Sequence, residues 1–392
     1  MNSALACIRT SALIGALLLL SAPFIVSCGG NKSSSNNGPL PATGTALASS
    51  QLLYVTGEIA GDRTQIFGYR IQDDGTLIPL SLPMLISPYC CHEAASAGSV
   101  LYVADFAGGM TAMSVDLPSG QLSAVPGSPF AGISASSSGS PVTCAGKFVY
   151  ATNGFPGGIF AFAIGSNGAL TPLPGSPFAG GPLPKRPMVD PLCTRLFVPN
   201  SPDEAINSTG GIIFSYSIDS ATGKLTPVPG SPFTADSKLS NLFSGTIDST
   251  GKFLYVTNPD SQSVLAFSIS ATGVITPVPG SPFAAGSKPD FVLPVIVFSR
   301  QFLYVANSGS NDISIFAIDN NTGALTAISR VAAGGGPSFL VSSRNFLYSL
   351  NSFSNDISGY AVNQDGTLRQ IPTGLTAPPG YLPLSAAIVT GP

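Results

Sequence analysis

A short segment built around one aromatic residue recurs seven times along the chain. Each copy resembles FLYVTN, with apolar residues flanking a Tyr or Phe, and five of the seven end in Asn. The aromatic residues are Tyr54, Tyr102, Tyr150, Phe197, Tyr255, Tyr304 and Tyr348, which stand 44 to 58 residues apart. Repetition at such a period is typical of solenoids and propellers, so the repeat decides what the chain can fold into.

Each repeat carries the pattern of four short strands. The segment after the aromatic strand alternates apolar with small or polar residues, as in GIFAFAI (Gly158–Ile164), which indicates a half-buried strand. A Gly turn such as SATGKL (Ser220–Leu225) then supplies the positive φ that a tight hairpin needs. A third strand follows, and a fourth, such as SFLVSS (Ser338–Ser343), precedes the next aromatic segment. Four strands in about 45–50 residues make one propeller blade.

We therefore predict an all-β protein: a seven-bladed β-propeller of four-stranded antiparallel blades over residues 51–392. The segment Leu52–Gly57 lacks a preceding strand, whereas Leu382–Thr390 supplies an extra one. We expect this C-terminal strand to join the N-terminal blade as its innermost strand. Such closure removes exposed sheet edges, which otherwise promote aggregation.

The segment TPVPGSPF occurs twice without change, at Thr226–Phe233 and Thr276–Phe283, and has near-copies at Ser123–Phe130 and Thr171–Phe178. Pro229-Gly230-Ser231-Pro232 matches a PxxP ligand motif. Repetition at blade spacing favours a structural role instead. Because Pro has no N–H to donate, we expect the motif to end the outermost strand, and its Phe to pack between blades.

The N-terminus resembles a bacterial lipoprotein signal. An apolar segment too short to span a membrane, Ser11–Val26, leads to Ile25-Val26-Ser27-Cys28 and Gly29. We expect residues 1–27 to be the signal peptide and Cys28 to be lipidated; a plain secretory signal is the alternative. Residues 28–50, rich in Ser, Gly, Asn and Pro, are expected to form a flexible tether. The protein is then exported and lipid-anchored in the bacterial cell envelope, at the outer membrane or the cell surface.

Composition excludes several classes of function. The chain has 16 basic and 19 acidic residues, a pI near 5.0 and no block of like charges, which argues against a nucleic-acid partner. It has no Walker-type loop, no GxSxG and no HExxH. We expect a monomer with no cofactor.

Four cysteines fall in the predicted propeller, and an exported protein can join them by three different disulfide pairings. They are Cys90, Cys91, Cys144 and Cys193. A bridge across strands is favoured over a ring between adjacent Cys90 and Cys91. No metal site is expected, because no CxxC spacing occurs and His92 is the only histidine.

The repeat, with YVxN, a strand such as ISIFAID, a TG turn and Leu, resembles the seven-bladed lactonase family over roughly residues 50–390. That family includes bacterial 6-phosphogluconolactonases and fungal carboxymuconate lactonizing enzymes. The segment Cys91-His92-Glu93-Ala94 is similar to the Cys-His-Ser-Ala segment of the phosphogluconolactonases. The resemblance implies a cluster of His, Arg and Glu at the channel mouth, with His92 as the matching general base or acid. Glu93 has no counterpart in the family segment, and the family's set of arginines is not recognisable here. We add Glu93 because it follows His92, and Arg186 because it lies close before an innermost strand. Lactone hydrolysis needs such a base, plus a cation for the developing oxyanion.

Further residues are expected at the same mouth because they enter innermost strands or end aromatic ones. Candidate ligand-binding residues are Lys185, Asp290, Asn153, Asn258 and Asn307. The asparagines have an alternative role as turn caps. Three functions stay open: a non-catalytic module that binds a protein, glycan or small molecule at the mouth, a lactone hydrolase, and a purely structural role in the envelope.

Overall fold

Seven antiparallel sheets, one for each aromatic repeat, make up the structure. It is a computed structural model and describes residues 51–59, 63–81, 84–87, 91–105, 109–131, 140–153, 157–201, 211–236, 242–373 and 381–390. Within these ranges every regular element is a strand. The sheets form a seven-bladed β-propeller, which confirms the predicted fold and blade count.

The strands run blade by blade along the chain. Blade 1 contains β1 (Gln51–Ile59), β2 (Arg63–Ile71), β3 (Leu77–Pro79) and β4 (Met84–Ser87). Blade 2 contains β5 (Cys91–Ala97), β6 (Val100–Asp105), β7 (Gly109–Asp116), β8 (Gln121–Ala124) and β9 (Phe130–Ala131). Blade 3 contains β10 (Ser140–Cys144), β11 (Phe148–Asn153), β12 (Gly158–Ile164), β13 (Leu170–Pro172) and β14 (Phe178–Ala179). Blade 4 contains β15 (Met188–Val189), β16 (Arg195–Asn200), β17 (Gly211–Ile218), β18 (Leu225–Pro227) and β19 (Phe233–Asp236).

The last three blades follow the same plan. Blade 5 contains β20 (Gly245–Ile247), β21 (Phe253–Asn258), β22 (Ser263–Ile269), β23 (Ile275–Pro277) and β24 (Phe283–Ala284). Blade 6 contains β25 (Pro289–Val297), β26 (Arg300–Asn307), β27 (Asp312–Ile318) and β28 (Leu325–Ala332). Blade 7 contains β29 (Pro337–Ser343), β30 (Phe346–Asn351), β31 (Asp356–Val362) and β32 (Leu368–Ile371). The chain then returns to blade 1 as β33 (Leu382–Thr390).

The C-terminal strand closes the ring, as predicted. β33 pairs antiparallel with β1, so that Ala387 lies opposite Tyr54. Blade 1 therefore has the order β3-β2-β1-β33, with the C-terminal strand innermost.

The core lies between neighbouring sheets. Between blades 5 and 6, for example, Tyr255 and Val264 pack against Leu303 and Phe316. The aromatic strands hold the most buried side chains of the molecule, because each is the second strand of its blade and is covered on both faces.

A ring of hydrogen bonds also joins consecutive blades. Six of the seven repeat aromatics are tyrosines, and each hydroxyl donates to the carbonyl of the turn glycine in the next blade, at 2.7–2.9 Å. The pairs are Tyr54–Gly120, Tyr102–Gly168, Tyr150–Gly223, Tyr255–Gly323, Tyr304–Gly366 and Tyr348–Gly75. Blade 4 has Phe197, which carries no hydroxyl. There Ser215, directly opposite Phe197, donates its Oγ–H to the Gly273 carbonyl at 2.9 Å and completes the ring.

The PGSPF motif follows the outermost strand of its blade: in blade 3, β13 ends at Pro172 and the motif begins at Pro174. In blade 3 both β13 and β14 pair with β12, and residues 173–177 form a turn between them. The expectation that the motif ends the outermost strand is confirmed, and the chain then returns to the same blade as the short strand β14. The physical reason is the serine: Ser176 Oγ accepts the Ala161 N–H at 2.9 Å, which replaces the backbone acceptor that the turn removes.

The geometry of the turn explains why the motif has Pro and Gly before its serine. The Ser176 N–H donates to the Leu173 carbonyl across Pro174-Gly175, and Gly175 has φ +87°, as a type II turn requires. The three other copies make the same serine bond to their own third strands. Phe178 is partly buried against a cluster with residues from blades 3 and 4, so the expected packing between blades is confirmed there.

One disulfide lies in the described part of the chain. Cys144, at the end of β10, is bonded to Cys193, in the turn before β16, and their Cα atoms are 5.5 Å apart. The bond joins blades 3 and 4, as a bridge across strands should. The side chains of Cys90 and Cys91 lie outside the described residues.

The predicted signal peptide, the lipidated Cys28 and the tether all fall within residues 1–50, which lie outside the described residues. In the ranges that are described, no helix has the length and apolar character needed to cross a membrane.

Candidate functional site in the central channel

The innermost strands place one side chain per blade at a common level of the channel. In four blades this residue is paired with the second-to-last residue of the aromatic segment in the neighbouring strand. These pairs are Ser385–Thr56, Ser140–Thr152, Phe291–Ala306 and Phe339–Leu350. Ser244 occupies the level in blade 5, where its carbonyl accepts the Thr257 N–H at 2.8 Å. With Glu93 of blade 2 and Arg186 of blade 4, these residues form what we call the channel layer.

Local irregularities in the strands create this layer. The register of β25 shifts between Pro289 and Phe291, and the register of β29 shifts between Pro337 and Phe339. Asp290 and Ser338 are the extra residues at these bulges, which redirect the side chains that follow. Another shift, between Cys91 and Ala94 in β5, contains His92 and Glu93.

An ion pair crosses the layer. Arg186 Nε is 2.6 Å from Glu93 Oε1, and the two side chains are only 17% and 14% exposed. Their blades are separated by blade 3, so the contact runs across the channel and not along its wall. The pair therefore ties two non-adjacent blades together.

Two phenylalanines cover the same guanidinium group. The Cζ of Arg186 is 4.8 Å from the ring centroid of Phe291 and 5.0 Å from that of Phe339. The two ring centroids are 4.2 Å apart. Arginine over an aromatic face is a favourable cation–π contact, stronger when it is desolvated. Blades 2, 6 and 7 thus hold an arginine that blade 4 supplies.

Burial shifts the acid–base properties of the groups around Arg186. It raises the pKa of Glu93, and the charge of Arg186 and a hydrogen bond from Ser140 oppose that shift. Burial also raises the pKa of Asp290, against a hydrogen bond from Ser308 and the charges of Arg186 and Lys288. In both carboxyl groups burial thus favours the protonated form, and the neighbouring positive charges oppose it.

Some buried polar atoms of this region have no hydrogen-bond partner among the described residues. They are Arg186 Nη1, Ser244 Oγ and Ser338 Oγ, together with Asn258 Nδ2 at the end of β21. Buried polar groups are almost always paired, so each such atom needs an explanation. Two of the four belong to the channel layer, and Ser338 is next to Phe339 of that layer.

The structure brings together only part of the predicted catalytic group. Glu93 and Arg186 form the ion pair described above. His92 lies in β5 directly before Glu93, but its side chain is outside the described residues. Lys185 adjoins Arg186; its N–H donates to the Pro199 carbonyl at 2.8 Å, and burial lowers the pKa of its amine.

The predicted asparagines are buried in the blades. Asn307 accepts the Gly286 N–H at 3.1 Å and donates to Asp312 at 2.6 Å and Ser314 at 2.9 Å. Asn258 accepts the Ser261 N–H at 3.0 Å, and Asn153 is also buried. These contacts favour the turn-capping alternative for Asn307 and Asn258.

Phe291, Phe339 and the layer serines were not among the residues singled out from the sequence. One signal could have found the two aromatic residues: Pro289-Asp290-Phe291 and Pro337-Ser338-Phe339 repeat a Pro-x-Phe pattern at the start of an innermost strand. In the described ranges no cluster of three or more His, Cys, Asp or Glu residues is arranged to hold a metal ion.

The fold and the site together define a seven-bladed propeller with one charged, partly aromatic layer across its channel. A family model described as a lactonase, 7-bladed beta-propeller, matches residues 295–381, which lie in blades 6 and 7 and reach the closing strand. Comparison with curated protein sequences gives no significant match.

Several solved structures share the fold. A Bacteroides fragilis protein provisionally named as a 6-phosphogluconolactonase is 18% identical, with a TM-score of 0.69 over 88% of this chain and 99% of that one. A periplasmic gluconolactonase from Pseudomonas aeruginosa is 16% identical, with a TM-score of 0.66 over 88% of this chain and 100% of that one. A Lactobacillus plantarum protein is 19% identical, with a TM-score of 0.67 over 87% and 99% of the two chains. At these identities the likeness establishes a shared propeller fold alone, and activity has to be argued from the residues of the site.

Proposed function

We propose that the protein is a binding propeller of the cell envelope that takes a small, oxygen-rich ligand, such as a sugar acid or sugar lactone, in the channel layer. The observation that carries this proposal is the state of Arg186. Its Nε is bound by Glu93 and its face is covered by two phenylalanines, while Nη1 is buried with no partner in the described part of the chain. A fixed, desolvated N–H donor matches a carboxylate or carbonyl oxygen of a ligand.

The same contacts argue for binding with absent or weak catalysis. Lactone hydrolysis needs a base that is free to take a proton from water. The Glu93 carboxylate is instead engaged by Arg186 and Ser140. Asp290, Lys185 and the serines of the layer supply further polar groups around a ligand.

A lactone hydrolase is the second candidate, and one observation favours it: burial raises the pKa of Glu93 above its usual value, which makes its carboxylate a stronger base. In that reaction a base, His92 or Glu93, takes a proton from water as the water oxygen attacks the lactone carbonyl. Arg186 Nη1–H would hold the oxyanion. The ring C–O bond then breaks, and the departing ring oxygen takes the proton and becomes a hydroxyl.

Binding and turnover can be separated with D-glucono-1,5-lactone and D-gluconate as probes. We expect calorimetry to show gluconate binding to the full-length protein, with binding lost in Arg186→Met. Arg369→Met is the matched control, because Arg369 is exposed on β32 at the outside of blade 7. Absence of binding by the unaltered protein to either probe, or equal loss in the two variants, would overturn the binding proposal.

The hydrolase candidate is tested on the same protein. Lactone hydrolysis faster than the spontaneous rate, and abolished in His92→Ala or Glu93→Gln, would establish it. A rate equal to the spontaneous one in the unaltered protein would exclude it for this substrate.

We also propose that the protein acts outside the cytoplasm, anchored by a lipid on Cys28. The signal-like segment before Cys28 supports this, and so does the Cys144–Cys193 disulfide, since disulfides persist mainly in oxidising compartments. Cys28→Ser should release the protein from the membrane fraction; retention there would contradict lipid anchoring.

A further inference from the structure

Blades 6 and 7 turn from the second strand to the third with almost the same sequence. The turn reads NSGSNDIS in blade 6 (Asn307–Ser314) and NSFSNDIS in blade 7 (Asn351–Ser358), so that Phe353 stands where blade 6 has Gly309. Both turns lie at the end of the propeller that carries the channel layer, because each follows the last residue of its second strand. Phe353 is 75% exposed there. Since the same turn forms with glycine, its backbone does not require the aromatic ring.

The segment that enters the innermost strand differs between the same two blades. It reads GSKPDF in blade 6 (Gly286–Phe291) and GGGPSF in blade 7 (Gly334–Phe339). Gly336 therefore stands where blade 6 has Lys288, and both residues have a positive φ, +66° and +50°. Because a lysine adopts this backbone conformation in blade 6, the conformation alone does not explain the glycine of blade 7.

The ring of Phe353 explains that glycine. A Cβ added to Gly336 would lie 2.6 Å from Cγ and Cδ2 of the ring, well inside van der Waals contact. Blade 6 has the reverse arrangement: a Cβ on Gly309 would lie 3.1 Å from Cγ of Lys288. Blade 7 thus presents an exposed aromatic ring at the position of the rim where blade 6 presents an exposed lysine.

Hydrogen bonds fix the turn that carries the ring. The N–H groups of Ser352 and Phe353 donate to the carbonyls of Gly336 and Gly335, each at 2.8 Å. The Gly335 N–H in turn donates to Ser354 Oγ at 2.8 Å. A turn that is already ordered loses little conformational freedom when a ligand covers it, which favours affinity.

The residues that link the ring to the channel layer carry no charge. Ser338 stands where blade 6 has Asp290, and its Oγ is buried with no partner in the described part of the chain. The next residue, Phe339, is one of the two rings that cover Arg186. Blade 7 therefore offers an uncharged strip that runs from an exposed ring at the rim to a buried ring in the layer.

The charged residues around this strip do not favour an ion. Asp356, in the turn itself, accepts hydrogen bonds from Asn351 at 2.6 Å and from Ser354 at 2.8 Å. Lys288 on blade 6 and Glu58 on blade 1 stand on the two sides of blade 7 and carry opposite charges. An uncharged group with an apolar face suits the exposed ring better than a charged group does.

The spacing along the strand shows how large a ligand must be to use both the ring and Arg186. Gly336, against which Phe353 lies, precedes Phe339 by three residues. At about 3.3 Å per residue of a strand, the ring stands about 10 Å from the channel layer toward the mouth. A sugar acid held in the layer therefore reaches the ring only through a second sugar unit.

We propose that the channel takes the oxidised end of an oligosaccharide. The terminal sugar acid lies in the channel layer, and the next, uncharged sugar lies with its C–H face on Phe353. This inference rests on the proposed function, because it needs the sugar acid to bind at Arg186. A sugar ring has an apolar face and a border of hydroxyl groups, which match the exposed ring and the unpaired Ser338 hydroxyl.

Calorimetry with D-gluconate, cellobionate and maltobionate tests the contact at Phe353. The last two are gluconate with one glucose unit attached, and they differ in the linkage. We expect at least one of them to bind the full-length protein about tenfold more tightly than gluconate, because covering one face of a phenylalanine ring contributes about half as much as burying it fully. Phe353→Gly, which gives blade 7 the turn of blade 6, should lower that affinity to the value for gluconate.

Phe298→Gly is the matched control. Phe298 is 79% exposed between β25 and β26, at the opposite end of blade 6, so its removal should leave the affinities for all three acids unchanged. If gluconate binds but neither disaccharide acid binds more tightly, or if Phe353→Gly weakens gluconate equally, the contact at Phe353 is refuted and the proposed function stands. If none of the three acids binds, both are refuted. Self-association that Phe353→Gly abolishes would assign the ring to a contact between two copies instead.

Discussion

The ring of inter-blade hydrogen bonds makes a quantitative prediction at blade 4, where Ser215 replaces the missing tyrosine hydroxyl. In Ser215→Ala the Gly273 carbonyl loses its donor from blade 4. A hydrogen bond contributes about 1 kcal/mol net, and a buried acceptor left unpaired costs about 1–3 kcal/mol. We therefore expect the free energy of unfolding to fall by about 2 kcal/mol.

Restoring the tyrosine at position 197 tests whether positions 197 and 215 supply the same hydrogen bond. Phe197→Tyr alone should also destabilise the protein, because the new hydroxyl meets the site that Ser215 Oγ already fills, and overpacking costs about 1–3 kcal/mol. In the double variant Phe197→Tyr/Ser215→Ala, blade 4 acquires the Tyr and small-residue pair found opposite each other in blades 2, 3 and 5. Its stability should return to within about 0.5 kcal/mol of the unaltered protein.

Urea unfolding of the four proteins measures the coupling. Ser217→Ala is the control, because Ser217 lies two residues along the same strand and its hydroxyl bonds the Thr226 carbonyl in an exposed position. That change should be close to neutral. Additive losses in the double variant would refute the idea that the two positions share one hydrogen bond.

Three further changes test other features. Replacing Cys144 and Cys193 together by Ser opens a loop of 49 residues and should lower the free energy of unfolding by about 4 kcal/mol; urea curves that do not change on reduction would contradict the bridge. Arg186→Met leaves Glu93 buried without its counter-charge and should cost about 3 kcal/mol, part of which Glu93→Gln should restore in the double variant; no loss in the single variant would contradict the buried pair. Burial raises the pKa of Tyr102 to about 12, so between pH 10 and 12 the folded state binds more protons than the unfolded state and stability should fall as pH rises; a thermal-unfolding midpoint equally pH-dependent in Tyr102→Phe would contradict this source.

The sequence predicted the fold because the information about it is repeated. Blade number and ring closure followed from the aromatic strands and from the unmatched segment Leu382–Thr390, and both are confirmed. The sequence placed PGSPF after the outermost strand but did not predict that the chain returns to the same blade, because that return depends on Ser176 reaching across to the Ala161 N–H. Pattern shows that a proline interrupts a strand, but not that a serine side chain then continues the ladder.

The site was predictable only in part. Glu93 was singled out because it follows His92, and Arg186 because it lies close before an innermost strand, and the structure joins the two. The phenylalanines that cover Arg186 lie more than 100 residues away from it, on innermost strands whose register is shifted by bulges. A one-residue shift exchanges the two faces of a strand, so no periodicity could show that these side chains meet Arg186.

The pairing of β33 with β1 sets an order in which the molecule can be completed. The hydrogen bond from Thr56 to Ser385 joins residues 329 positions apart, so blade 1 lacks its innermost strand until nearly all of the propeller has been made. Contacts of such sequence separation are slow to form. During that time β1 presents an unpaired edge, to which the equivalent C-terminal strand of another molecule could add as well as its own. At low protein concentration, or when the C-terminal segment is synthesised quickly, we therefore expect closed monomers. At high concentration we expect molecules linked by exchanged C-terminal strands.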